Sequence, residues 1–285
     1  MPVDQEVRRL TFQRLGRMLS KLAAKPEPAS VHRFRTNSRR LEALLEELSE
    51  TLTRNDKKLL KSLARLRKKA GHVRDLDVQI GALENLKIPQ EPARKSQLMR
   101  MLAEERTKRE KKLAKALDPE TLRELRRRLR RSEAESHIPE NTDPAMIATR
   151  LFTGSVPAGV PLSENTLHQY RMSGKRARYV AEMAGDNPAA QAIVAQLKHL
   201  QDAVGEWHDW LQLSQRAEKL FAEVPNSALV AALRNVRRAK FRIAVDILSQ
   251  TRTAFAAKTS LHRLANSSPA RKQPTLSAVN ASAVA

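Results

Sequence analysis

Two segments carry the same arrangement of one histidine and three cations. The first holds His32, Arg35, Arg39 and Arg40; the second holds His168, Arg171, Lys175 and Arg176, 136 residues further on. At about 100° per residue of helix, with each His at zero, Arg35 and Arg171 fall near −60°. Arg39 and Lys175 fall near about −20°, and Arg40 and Arg176 near about +80°. The large apolar residues of both segments (Phe34, Leu41, Leu44, Leu45, Leu48 and Tyr170, Ala177, Val180, Ala181, Ala184) take the opposite side. Each helix therefore presents one apolar face and one face of three cations and a histidine. A solvated basic stripe needs only net polarity. The same stripe twice, in the same phase and opening on a His, points to oxyanion binding. Arg offers a planar fork for phosphate oxygens, Lys a point charge, and His a donor whose charge depends on pH.

A second pair lies downstream of each stripe. Gly71, Arg74, Asp75 and Asp77 match Gly205, His208, Asp209 and Leu211, with a nearly equal offset of 134 residues. A Gly inside a helix costs about 1 kcal/mol against Ala, and is tolerated where another element packs closely on the backbone or the helix kinks. Asp75 and Asp209 either orient a basic residue of the stripe or ligate a metal; two isolated acids favour the first. Trp207 and Trp210 flank His208 and read as core residues rather than base-stacking platforms.

The elements that must position these residues are helical. Aromatic content is 4%, with only 8 Gly, which argues against strands and their turns. Helical periodicity predicts segments at 7–22, 31–52 (capped by Ser30), 57–86 (capped by Asn55 or Asp56), 94–117 and 119–132 (Asp118 as cap). Further helices are expected at 163–184, 188–222 and 228–264. A Pro/Gly-rich stretch, 133–162, interrupts them around a short helix near 144–152. The repeat defines a tandem pair of similar units, each of around four helices. The expected division is a first bundle at 1–132, a linker at 133–162, a second bundle at 163–264 and a disordered tail at 265–285. The basic runs 122–131 and 233–245, with Arg65, Lys68 and Lys69, read as solvated surface that could widen an electropositive groove.

Charge and missing residues bound the function. Lys and Arg number 53 against 31 Asp and Glu, a formal net charge of +22, so the default partners are polyanions. There is no Cys, which removes disulfides, thiol nucleophiles and Cys-ligated metals. No Walker A, HExxH, G-x-S-x-G or dinucleotide-binding pattern occurs. No membrane span or secretory signal is expected, which places the protein in the cytoplasm.

At these residues the sequence resembles the CHAD family, the histidine-containing α-helical domain. The resemblance rests on VHRFRTNSRRLEALL, LHQYRMSGKRARYV, AGHVRDLDV and VGEWHDWLQL, in the family's order, and covers about residues 5–260. It implies an all-α fold of two four-helix bundles related by pseudo-twofold symmetry, with a basic groove at their junction. It also implies binding of inorganic polyphosphate and association with polyphosphate granules. Carried onto this chain, the phosphate contacts are His32, Arg35, Arg39, Arg40, His168, Arg171, Lys175 and Arg176, joined by Arg74 and His208. Asn37, Ser38, Ser173 and Gly174 stand where small apolar residues are frequent. The expectation is a noncatalytic polyphosphate-binding protein without cofactor or metal. Nonspecific nucleic-acid binding is the alternative, and a phosphate-transfer enzyme using His32 or His168 a more remote one.

Overall fold

The computed structural model describes residues 2–155 and 160–267. Among them are nine α-helices and no strand: α1 (Gln5–Ala24), α2 (Pro28–Ala43), α3 (Arg54–Asn85), α4 (Pro92–Lys115), α5 (Pro119–Glu135), α6 (Pro144–Thr153), α7 (Glu164–Ala181), α8 (Pro188–Leu220) and α9 (Ala228–Ser267). The fold is all-α.

Local chemistry sets the helix starts. Asp118 and Ser163 accept N-terminal amide bonds as their types dictate, from Thr121 and Thr166, and Pro188 opens α8 behind the Asn187 cap. Two caps differ from expectation. Helix α2 begins at Pro28, so Ser30 lies inside it and no side chain caps it. Thr53 caps α3, with Asp56 three residues on completing a capping box, so Asp56 reaches back from inside the helix.

Helices α2 and α7 do not end as α-helices. Leu44–Leu48 forms a π-turn after α2, and Glu182–Ala184 a 3-10 turn after α7. The turn after α7 stops at Gly185, whose φ of +61° suits only glycine. A Cβ there would also overlap the carboxylate of Asp4, whose backbone N–H donates to the Met183 carbonyl at 2.9 Å. The start of the chain is thereby fastened to the end of α7.

The apolar stripes meet in two cores. The larger runs through both halves, from Phe12, Leu15 and Phe34 to Leu200, Val204 and Trp207. The smaller joins the C-terminal parts of α3 and α8 to α4 and α9 through Leu83, Leu98, Leu213 and Leu229. Helix α2 packs on α7, and α3 on α8. Segment 133–162 is not a plain spacer. Arg8 donates to the carbonyls of Glu133 and Ser136, and Glu50 N–H to that of His137. Within it, α6 packs on α7, α8 and α9, with Phe152 buried between the rings of Tyr170 and Phe255. Of the tail expected at 265–285, residues 265–267 belong to α9; the rest, like Pro157 and Gly159, lies outside the described residues.

Candidate functional site: a basic basin between α2, α3, α7 and α8

The two stripes come together. Charges close enough to act on Lys175 include Arg171 on its own helix and Arg39 and Arg35 on α2. Those acting on Arg171 include Asp209, Asp75 and Arg39. His32 lies near Arg74, and His208 near Arg171, His168 and Lys175, its ring 5.9 Å from that of His168. Eight of the ten expected ligands thus share one basin: His32, Arg35, Arg39, Arg74, His168, Arg171, Lys175 and His208.

Gly71 of α3 has a direct role. Arg35 Nη1 donates to the Arg67 carbonyl at 3.1 Å. That carbonyl also belongs to the turn closing on Gly71, four residues later. A Cβ on Gly71 would overlap Nη1 and come within 3.3 Å of Cζ. The missing side chain is therefore what lets the guanidinium reach the helix backbone. Its counterpart differs: nothing lies within 4 Å of a Cβ on Gly205. Arg171 does not dock there, and its Nε is buried without a hydrogen-bond partner.

The third cation of each stripe has another engagement. Arg40 Nε donates to Glu182 at 2.6 Å, in the turn after α7. Arg176 pairs with Glu47, and with Glu46 at 3.8 Å, in the turn after α2. Glu182 follows Glu46 by the same 136 residues that separate the arginines. Each irregular turn thus delivers an acid to the other half's arginine. Arg40 and Arg176 clasp the halves rather than standing free in the basin. Arg39, also expected as a ligand, lies 3.3 Å from Glu42.

Sequence reasoning passed over Arg67, Glu42 and Gln201. Arg67 is buried, donating to Ser38 Oγ at 3.0 Å and pairing with Glu42. Gln201, at the matching offset, donates to the Gly174 carbonyl at 2.8 Å. Both tie a stripe helix to the helix behind it. Ser38 supplies a side-chain acceptor that a small apolar residue there would lack, whereas the bond to Gly174 uses only its backbone. The repeat register was the available signal: 67 maps onto 201 as 71 maps onto 205.

Crowding tunes the basin. Burial, followed by Arg171, Arg39 and Arg35, lowers the Lys175 pKa to about 7. Burial, with Arg171, His168 and Lys175, lowers His208 to about 4, so this imidazole is neutral at physiological pH. Burial raises Asp209 to about 6, against the pull of Arg171, and Asp75 adds to the rise. Burial pulls Arg35 and Arg171 down as well, partly offset by Asp75 and Asp209 respectively. Arginine stays charged regardless. The two aspartates thus act as counter-charges to the arginines. Among the described residues no group of three His, Cys, Asp or Glu side chains could hold a metal ion. Trp207 is buried in the larger core and Trp210 packs against the smaller one.

A cavity of about 550 Å³ opens beside the basin, lined by Arg39, His168 and Arg176 together with Glu42, Glu46 and Met172. Its mixed charge distinguishes it from the cation-rich basin.

Solved structures share this fold. PptA from Streptomyces chartreusis is 16% identical over 88% of this chain and 99% of its own, with a TM-score of 0.65. The CHAD domain from the plant Ricinus communis is 17% identical over 88% of this chain and 89% of its own, with a TM-score of 0.61. Comparison with curated proteins finds no match. The sequence profile of the CHAD domain matches residues 9–218, a span that takes in both stripes, both glycines and both aspartates, and the chain belongs to the CHAD domain family.

Proposed function

We propose that this protein binds inorganic polyphosphate noncatalytically in the basin between α2, α3, α7 and α8, and through it associates with polyphosphate granules in the cytoplasm. The CHAD domain family is linked to polyphosphate binding in general. One observation carries the reading for this chain. Arg35, Arg171 and Lys175 converge, partly buried, with no carboxylate in salt-bridge contact among the described residues, and one guanidinium nitrogen is orphaned. Buried cations demand anionic partners. A chain of phosphates supplies one at each step, and charge-assisted hydrogen bonds hold it.

Two observations favour this over the alternatives. Every Phe, Trp and Tyr is buried or partly buried, so none stands ready for the base stacking on which single-strand nucleic-acid binding draws. No carboxylate hydrogen-bonds His32 or His168 among the described residues, so neither is oriented as a general base.

The test is titration with polyphosphate of the wild type and of the Arg35→Ala/Arg171→Ala variant. Each lost charged contact is worth about 1.5–3 kcal/mol, so affinity should fall by roughly 100-fold or more, with helical circular dichroism unchanged. With about five cations engaged, log affinity against log salt should have a slope of roughly −3 to −4. Unchanged affinity in the folded double variant would refute the reading.

A further inference from the structure

A second basic recess lies between α3 and α4. It has a volume of about 350 Å³ and is lined by Arg65, Lys68, Lys69, His72, Arg109 and Lys112. Among the described residues, no acidic and no apolar residue lines it. The nearby acid, Glu105, is already held by Arg109 at 3.0 Å and by Arg216 of α8. Among the described residues no carboxylate pairs with Arg65, Lys68, Lys69 or Lys112. Two packed helices that turn unpaired cations toward each other repel across the recess.

The recess adjoins the basin. On α3, Lys68 and His72 follow the same flank as Asp75, three residues beyond His72. Asp75 acts electrostatically both on His72 and on Arg35 and Arg171 of the basin. From Asp75 back to Arg65, the cationic flank extends about 15 Å along the helix axis. Burial, with Arg109 and Lys68, holds His72 below the usual imidazole range, so it offers a neutral ring where recess and basin meet.

We infer that the α3–α4 recess is an extension subsite, which takes the continuation of a polyphosphate chain whose other part occupies the basin. This rests on the polyphosphate reading. It adds that a short chain fills the basin alone, whereas a long chain also engages Arg65, Lys68, Lys69 and Lys112. Selectivity for chain length is then built into α3, whose one flank serves both sites.

The experiment compares three full-length proteins against short chains of about ten phosphates and long chains of about a hundred, at one salt concentration. The proteins are the wild type, a recess variant (Arg65→Ala, Lys68→Ala, Lys69→Ala, Lys112→Ala), and a control variant losing four exposed cations elsewhere (Arg14→Ala, Arg17→Ala, Lys21→Ala, Lys219→Ala). The recess variant should lose about tenfold or more in affinity for long chains and less than about twofold for short ones, with the control near wild type. The inference is overturned if the recess variant keeps its long-chain affinity, if both chain lengths weaken equally, or if the control falls as far. Failure of the wild type to bind either chain would overturn the polyphosphate reading itself, and this inference with it.

Discussion

Replacing Gly71 with Ala should separate binding from stability. Gly71 sits inside α3, where exchange for Ala contributes about 1 kcal/mol of helix stability. The new methyl would overlap Arg35 Nη1 and lie 3.3 Å from Cζ. The atom in its way ends a flexible side chain, so the guanidinium moves rather than the helix. Its bond to the Arg67 carbonyl is then lost, at a cost of about 1–2 kcal/mol with water free to substitute in part. The two effects nearly cancel, and stability to urea should stay within about 1 kcal/mol of wild type. Binding has no such compensation. One basin cation leaves its place, which costs about 1.5–3 kcal/mol, or roughly ten- to a hundredfold in affinity. Gly205→Ala is the matched control, because its Cβ meets nothing within 4 Å. It should gain up to about 1 kcal/mol and bind as before. Urea denaturation and calorimetric titration with polyphosphate measure both quantities. Full affinity in a folded Gly71→Ala protein, or an equal loss in Gly205→Ala, would refute the role assigned to Gly71.

Other outcomes follow from the same geometry. The Lys175 pKa of about 7 lies below its ordinary 10.5. Below about pH 7 the ammonium is charged in folded and unfolded chains alike, and its burial cost is complete. As pH rises from about 7 toward 10.5 the folded chain gives up the proton first, so this residue's contribution makes stability rise. Polyphosphate favours the charged form, so affinity should instead fall as pH climbs past about 7; Lys175→Met should flatten both dependences, and unchanged slopes would argue against them. Arg40 and Glu182, both less than a third exposed, should show a coupling of about 1 kcal/mol in a double-mutant cycle of urea stabilities, whereas Arg40→Ala alone should change polyphosphate affinity less than about threefold. Arg67→Met leaves Glu42 with Arg39 alone and strands Ser38, and should cost about 2 kcal/mol of stability by urea denaturation.

Much of this arrangement was written in periodicity. The stripes at His32 and His168 are legible because helical spacing converts sequence intervals into faces, and their recurrence excludes accident. Gly71 was legible as a site of close approach, but not what approaches: only the fold brings Arg35 from α2 to that carbonyl. Arg40 and Arg176 carry the same sequence signal as their neighbours on the stripes. Their partners, Glu182 and Glu46 with Glu47, lie in turns whose π and 3-10 geometry no helical wheel describes, so their role as a clasp was hidden. The packing made by the linker expected at 133–162 was hidden for a related reason. Its prolines mark helix boundaries, but the burial of Phe152 between Tyr170 and Phe255 depends on residues far away in sequence. Ser30 failed as a cap because Pro28 already supplies a helix start two residues earlier.

The most direct test of the basin is a competition. The protein is loaded with labelled long-chain polyphosphate at physiological salt, and unlabelled polyphosphate, duplex DNA and single-stranded RNA are titrated in at equal phosphate concentration. Efficient displacement by polyphosphate, with the nucleic acids weaker by about tenfold or more, is the predicted result, because the converging cations meet a bare phosphate chain and no aromatic platform meets a base. Equal displacement by DNA or RNA would contradict it, and would make the basin a general anion surface.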